Sequence, residues 1–360
     1  MNIAQLVNTR LITQQITGTS FTKPEQIVRW MGAMQAQDYA MAKWAIGCRL
    51  PGSTEKEIEG AIDKAAIIRT HVLRPTWHFV SAKDIHWILA LTAPQVKTSA
   101  KSRHKQLELT DTSFRKANKL IQKILQGNNH MTREEIMLHF KKAKINISDE
   151  RPAHFMFMAE LDGIVCSGVS KAKKHTYALL SERVPEPEKF NRDKALATLA
   201  EKYFQSHGPA TLEDFIWWSG LRIKDARNAL EMIQPGLQKE NIGAQTYWFD
   251  KNISFNKTYK KSVYALPAFD EFTISYKDRS AMMPVNKHKE VISVNGIFNP
   301  IIVVNGKVCG LWSRSVSKNK VIIKPVFFET PAKSVQTMAK KSFKAFAAFI
   351  NKEADIDLKT

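Results

Sequence analysis

The chain has 360 residues, of which 54 are Lys or Arg and 34 are Asp or Glu, giving a formal charge of +20 and a sequence pI near 9.7. With 44% apolar residues and about 150 residues per domain as a guide, the chain can fill the cores of two or three compact units, which excludes a disordered protein. Its 15 Gly and 14 Pro fall below the usual ~12% of a globular chain and exclude collagen-like or turn-dominated architectures. No run approaches the ~18 apolar residues of a membrane span, and Asn2, Gln5, Asn8, Thr9 and Arg10 are too polar for a signal peptide. Cys48, Cys166 and Cys309 are far apart, odd in number and without zinc spacing, which predicts reduced thiols in the cytoplasm. An excess of positive charge this large predicts a polyanionic partner, and nucleic acid or an anionic membrane surface would each satisfy it.

In chain order, Leu6 to Gln15 reads as a helix, and from Pro24 the residues Ile27, Trp30, Met31 and Met34 recur at i, i+3, i+4, i+7, the stripe of a helix buried on one face. Thr22 with Glu25 has the spacing of a capping box at its start. The same opening recurs at Thr132 with Glu135 and at Thr211 with Asp214. Each opening is preceded by a helix: the second by Phe114 to Leu125, the third by Ala195 to Tyr203. Each is followed by another: a helix from Thr54 and Glu57 through Ile62, one through Ala153, Met156 and Ala159, and one through Ile223, Ala226 and Leu230. A hairpin closes each unit, over Ile67 to Val80, Ile164 to Leu180 and Gln234 to Asp250. Helix, helix, helix, hairpin is the winged-helix order, which places one helix in a DNA groove. Two further helices, Asp84 to Leu91 and Pro94 to Leu107, separate the first unit from the second.

From Lys251 the pattern becomes β-rich. Short β-rich runs at Val263, Ala265 and Ile274, then at Val291, Ser293, Ile301 to Val304, Val308 and Leu311, and at Val321 to Ile323 are separated by the turn signals Asn295-Gly296 and Asn305-Gly306, the second fitting a two-residue hairpin. A small β-barrel or half-barrel over 251–328 is expected, closed by an amphipathic helix near Lys333 to Asn351, with Asp355 to Thr360 fraying. The fold class is therefore α+β, mostly helical, in four segments: 1–110 (a first winged helix with its following helices), 111–185 (a second), 186–250 (a third) and 251–350 (barrel and closing helix).

The chain has no dinucleotide fingerprint, phosphate loop, Gly-x-Ser-x-Gly elbow or helical His pair, which argues against nucleotide hydrolysis, serine hydrolase chemistry and simple zinc catalysis; no cofactor or metal is called for. The unusual segment is Gln35-Ala36-Gln37-Asp38-Tyr39, in a connection of some twenty residues before Thr54. Connections this long usually hold extra structure or a functional site. In an extended chain residues i and i+2 share a face, so Gln35 and Gln37 would present two carboxamides together. They read equally as surface amides or helix caps, and Asp38 as a capping or exposed Asp.

Gln35-Ala36-Gln37, Trp44-Ala45-Ile46-Gly47-Cys48-Arg49, the run Arg69-Thr70-His71-Val72-Leu73-Arg74-Pro75-Thr76-Trp77-His78-Phe79-Val80, Leu266-Pro267-Ala268-Phe269-Asp270-Glu271-Phe272 with Tyr276-Lys277-Asp278-Arg279, and Asn305-Gly306 leading to Gly310-Leu311-Trp312 together resemble the AlkZ family of bacterial DNA glycosylases. The resemblance covers about residues 5 to 325. It implies three tandem winged helices and a C-terminal β-barrel, C-shaped around duplex DNA, and it implies that the two glutamines of a Gln-x-Gln motif are catalytic, here Gln35 and Gln37. A sister branch carries Asp at the second position, where this chain has Gln37; Asp38 follows one residue later.

The implied reaction suits carboxamides. A purine alkylated at N7 or N3 is already cationic and leaves as a neutral base without a strong general acid, so what remains is to orient a water and the sugar. If a true base is needed, Asp38 is nearest. Bulky adducts and crosslinks hinder full extrusion of a base from the stack, and the resemblance implies a channel that approaches the lesion without a tight base pocket. For phosphate, the sharpest feature is Lys171-Ala172-Lys173-Lys174-His175 at the tip of the second hairpin, which reads also as a solvated loop. Arg69, Arg74 and His78 on the first hairpin follow; Arg74 and His78 share strand parity and either face DNA together or pair with Glu59 and Asp63, with Trp77 on the opposite face, packed in the core. Arg314, Lys318 and Lys320 add charge in the barrel, and Asp270 with Glu271 reads as a domain-interface ion pair.

The expected protein is a monofunctional DNA glycosylase, monomeric and nucleoid-associated in a bacterial cytoplasm, acting on alkylated double-stranded DNA, with no membrane partner. A non-catalytic winged-helix DNA-binding regulator is the alternative, weakened by the lack of a heptad or dimerisation helix. An RNA-binding protein is a third reading, marked by preference for single strands.

Overall fold

A computed structural model of the chain describes residues 1–172, 174–185, 190–253 and 259–357. It is a mixed α+β protein that divides into two compact units, residues 1–59 with 196–360, and residues 60–195. This partition is coarser than four consecutive segments, because the start of the chain and its last 165 residues share one unit. Among the described residues no helix is long and apolar enough to cross a membrane.

The first unit opens with helix Ile3–Thr13, whose Asn2 cap and Gln5 form a reciprocal box. Helix Pro24–Met31 starts one residue later than the Thr22/Glu25 pair predicts. Gln26 rather than Glu25 reaches back, its Oε1 accepting the N–H groups of both Thr22 and Lys23 at 3.0 Å, and Pro24 takes the first helical position, where a missing N–H costs nothing. The third opening holds as read: Thr211 N donates to Asp214 Oδ2 at 3.0 Å and Asp214 N to Thr211 Oγ1 at 3.1 Å, ahead of helix Leu212–Ser219. Helices Leu212–Ser219 and Ile223–Ile233 and the hairpin Leu237–Ile242/Gln245–Asp250 follow in the predicted order.

The β-rich region is a five-stranded sheet in the spatial order 353–356, 320–327, 307–316, 301–304, 263–266. Ile274 and Val291, expected in strands, instead end the short helices Glu271–Ile274, started by the Asp270 cap, and His288–Val291. Val304 pairs with Lys307 across Asn305-Gly306, and both turn residues have positive φ, 49° and 77°, as a two-residue type I′ hairpin requires. Helix Lys333–Phe349 lies on this sheet through Phe343 and Phe346, which meet Trp312. Phe346 and Phe349 also meet Trp44, and the Trp44 indole donates to Ala265 O at 2.9 Å. The expected fraying of Asp355 to Thr360 is corrected at its start, where Glu353–Ile356 forms a parallel strand beside 320–327; residues 358–360 lie outside the described residues.

In the second unit the hairpin Ile67–His71/Trp77–Ser81 is followed by one helix, Ile85–Gln106, with Pro94 inside it. Two helices were expected here. The helix continues because Pro94 removes a single donor, while Ala93 and Val96 beside it stay buried against Leu161. Helices Asp111–Leu125, Arg133–Lys142 and Arg151–Leu161 surround a core that includes Phe114, Ile121, Phe140 and Phe155. Strands Met131–Thr132, Thr176–Leu179 and Val165–Ser167 close it. The Thr132/Glu135 box forms, at 2.6 and 3.2 Å.

Candidate active site

Gln35 ends the two-residue strand Met34–Gln35. The extended stretch is shorter than the Gln-x-Gln spacing suggested, because the chain bends at Gln37 and Asp38 to enter helix Tyr39–Gly47. That helix is the extra structure hidden in the long connection. Asp38 is its N-cap, with Oδ1 accepting from Met41 N at 3.1 Å, so the capping role that competed with a catalytic one is present. Asp38→Ala is expected to lower stability by about 1 kcal/mol, and Asp38→Asn, which keeps a capping oxygen, by much less; thermal unfolding of the two variants checks this.

The two glutamines sit in different surroundings. Gln35 is 8% exposed, and its main-chain N–H donates to Glu271 Oε1 at 2.7 Å. Gln37, two residues on, is exposed. One amide-bearing residue is thus anchored by its backbone while the next is open to a partner. On the other side of the turn, Asp38 Oδ2 lies 3.9 Å from Arg314 Nη2, which places this arginine of strand 307–316, not assignable to a face from sequence, beside the Gln-x-Gln segment.

Behind Gln35 lies a buried polar network. Arg49, fully buried, donates to both oxygens of Asp270 at 2.8 Å and to Gln14 O and Oε1 at 2.9 and 3.0 Å. Asp270 in turn caps Glu271–Ile274, accepting from Phe272 N at 2.9 Å. Gln14 Nε2 donates to Tyr276 Oη at 2.9 Å, and that hydroxyl donates to His207 O at 2.7 Å. Arg10 stacks over Tyr276 at 3.7 Å and faces Asp214 at 3.6 Å. Asp270 and Glu271 are not an ion pair with each other: Asp270 belongs to Arg49, and Glu271 spans Gln35 N, Ser275 Oγ and, at 3.6 Å, His207 Nε2. Each acid thus makes its own ion pair, Asp270 with Arg49 and Glu271 with His207. Two adjacent carboxylates between buried aromatic residues must each find separate donors, since a buried unpaired charge is too costly to keep.

Burial pushes the Glu271 carboxyl up, but His207, the Ser275 hydroxyl and the Gln35 N–H outweigh it and hold it at about 2, against an ordinary 4.5. A carboxyl depressed in the folded state stabilises the fold above its unfolded value and loses that contribution as pH falls toward the folded one. Wild-type stability is therefore expected to fall between about pH 4.5 and 2, and Glu271→Gln to show a shallower decline over that window; urea unfolding at stepped pH measures the difference.

The remaining charged residues of interest belong to the second unit. Arg69 lies over the Trp77 ring at 4.4 Å, with its N–H on Ser167 Oγ at 2.9 Å. Arg74 falls in the connection between the two strands, so strand parity does not relate it to His78. His78 is 0% exposed, with Nδ1 2.9 Å from Thr76 O, and is not presented at a surface. Trp77 is half-buried rather than a core residue. Glu59 is taken by Lys43 at 2.6 Å, and Asp63 accepts from Ser170 N at 3.2 Å. Lys171 and Lys174 are exposed and close the hairpin tip on each other's backbone at 3.1 and 2.8 Å; Lys173 lies outside the described residues. The role of Glu271 was missed, and the available signal was an acidic pair embedded in an apolar run, Leu266 to Phe272.

The profile of the AlkZ-like DNA glycosylases matches residues 28–349. The chain belongs to this family. It is accordingly a DNA N-glycosylase, acting on DNA, and the regulator reading is not favoured. Over 343 residues it is 20% identical to the interstrand DNA cross-link repair glycosylase of Streptomyces sahachiroi, covering 88% of each chain. The solved structure of the Streptomyces sahachiroi DNA glycosylase AlkZ superposes with a TM-score of 0.81 at 16% identity, covering 99% of both chains.

Proposed function

We propose that this enzyme hydrolyses the N-glycosidic bond of cationic alkylated purines, N7-alkylguanine and N3-alkyladenine, and unhooks interstrand crosslinks built on them. The observation that carries the reading is the pairing of an anchored Gln35 with an exposed Gln37 at one turn of the chain. A carboxamide offers one acceptor and two donors but no useful basicity. Such groups suit a substrate whose own positive charge weakens the bond, and would serve poorly where a neutral base has to be protonated as it leaves. Gln35 and Gln37 orient the water and the sugar, and Asp38 holds the turn while its second oxygen faces Arg314.

The DNA is held by three winged-helix units in segments 1–110, 111–185 and 186–250 and by the barrel of 251–350, all from one monomer. Lys171, Lys174, Arg69, Arg74 and Arg314 serve as phosphate contacts; His78, being buried, acts only by supporting its hairpin. Lys171→Ala with Lys174→Ala is expected to weaken duplex binding at all sequences alike and to reduce the slope of log affinity against log salt by about 2, measured by fluorescence anisotropy across a salt series.

The substrate class is tested with duplexes carrying one N7-methylguanine, one uracil or no lesion, each followed by alkali to reveal abasic sites. Release from the N7-methylguanine duplex alone supports the reading. Comparable release of uracil would show that the enzyme protonates neutral leaving bases, and would refute it. A crosslinked duplex resolved on a denaturing gel tests unhooking separately.

A further inference from the structure

The second unit contains a cavity of about 340 Å³ that the Gln-x-Gln chemistry does not use. Its walls are aromatic: Trp77 from the first hairpin, Phe157 and His154 from helix Arg151–Leu161, and Tyr177 from strand Thr176–Leu179. Its size suits one ring system rather than an extended ligand.

The floor of the cavity is set by Glu160, 1% exposed. Its Oε2 accepts from His71 N at 2.8 Å and lies 2.7 Å from His71 Nδ1, and its Oε1 accepts from Trp77 Nε1 at 3.3 Å. A carboxylate only accepts, so Nδ1 carries the proton of this contact and Nε2 is the ring nitrogen left to a ligand. The imidazole is also held by ring contacts, 4.6 Å from Trp77 and 4.8 Å from Phe157. Glu160 thus fixes both the hydrogen bonding and the orientation of a cavity wall.

Two further groups complete the site. Among the described residues the Tyr177 hydroxyl and the Arg133 guanidinium have no hydrogen-bond partner. Burial pushes the Tyr177 phenol well up, with Glu160 adding to the rise and Arg69 and Arg133 opposing it, so the hydroxyl stays neutral and available as donor or acceptor. Burial likewise lowers His154, leaving that wall uncharged at neutral pH. Arg133 is exposed, at the start of helix Arg133–Lys142.

We propose that this cavity binds a single nucleotide, with its base against Trp77, Phe157 and Tyr177, its polar edge on His71 Nε2 and the Tyr177 hydroxyl, and its phosphate at Arg133. Aromatic walls with a few convergent polar groups are how a base lifted out of its stack is held, and Arg133, the one Lys or Arg among the described lining residues, suits one phosphate. Neither Gln35 nor Gln37 lines the cavity, and the proposal stands or falls without them.

The test uses the full-length protein titrated with 2′-deoxyguanosine 5′-monophosphate, with deoxyguanosine, and with a single-stranded DNA trimer, followed by NMR and calorimetry. Tyr177→Phe keeps the ring and the fold, and is expected to weaken all three about fivefold through the lost hydrogen bond. Arg133→Gln is expected to weaken the monophosphate and the trimer by a similar factor and to leave deoxyguanosine unchanged. Competition by the trimer identifies the occupant as a nucleotide within a strand; binding of the monophosphate without the trimer identifies a free nucleotide. Absence of binding at about 10 mM, where even a weak fragment registers, would overturn the proposal. So would a loss confined to Arg133→Gln, which is charge attraction at the surface without a base site.

Discussion

Asp270→Ala is expected to destabilise the protein by about 3–5 kcal/mol, the cost of leaving a buried charge without its partner. Arg49 and Asp270 are both fully buried, and the guanidinium meets the carboxylate in a two-pronged contact at 2.8 Å on each prong. Removing the carboxylate strands the fully buried Arg49 guanidinium, and it also removes the cap on Glu271–Ile274. Those losses act on the residue beside Glu271, which holds the Gln35 backbone, so base release is expected to fall along with stability. Urea unfolding gives the first effect. Replacing both partners together, Arg49→Met with Asp270→Leu, is expected to recover part of the loss, because a matched apolar pair leaves no orphaned charge. A single variant as stable as the wild type would show that the buried pair contributes nothing.

Gln35→Ala and Gln37→Ala are expected to slow release of N7-methylguanine by about 10²–10³-fold each, the usual effect of deleting one preorganised hydrogen-bonding group at a reacting centre. Affinity for the lesion duplex is expected to change little, because phosphate contacts spread over a chain of charge +20 dominate binding. If one water and one sugar are positioned by both groups together, as proposed, the effects of the two variants should not add. Gln35→Ala leaves the main-chain bond to Glu271 in place, so its loss of rate isolates the carboxamide from the strand that carries it.

Features set by neighbouring residues were legible in the sequence. The Thr132/Glu135 and Thr211/Asp214 boxes need only four consecutive residues, and the Asn305-Gly306 turn needs two residues that tolerate positive φ. Where two local solutions compete, the reading was off by one, as at Gln26 in place of Glu25. Long-range choices were not legible. The parallel pairing of Glu353–Ile356 with 320–327 has no local signature, and the continuation of one helix through Pro94 depends on packing against Leu161. The same holds at the site: the Gln-x-Gln segment stands out along the chain, but Glu271, which anchors it, is 236 residues away. Only folding shows that the two acids at 270 and 271 serve different partners.

In the proposed reaction two neutral carboxamides complete the departure of a base that is already cationic, with Asp38 confined to holding the turn. The most direct measurement is single-turnover release of N7-methylguanine from a defined duplex by Gln37→Ala and by Asp38→Asn, side by side with wild type. The account predicts at least about a 10²-fold loss for Gln37→Ala and a rate within a few fold of wild type for Asp38→Asn, whose side chain still caps helix Tyr39–Gly47. Full activity in Gln37→Ala with loss in Asp38→Asn would contradict it and assign the chemistry to a carboxylate base.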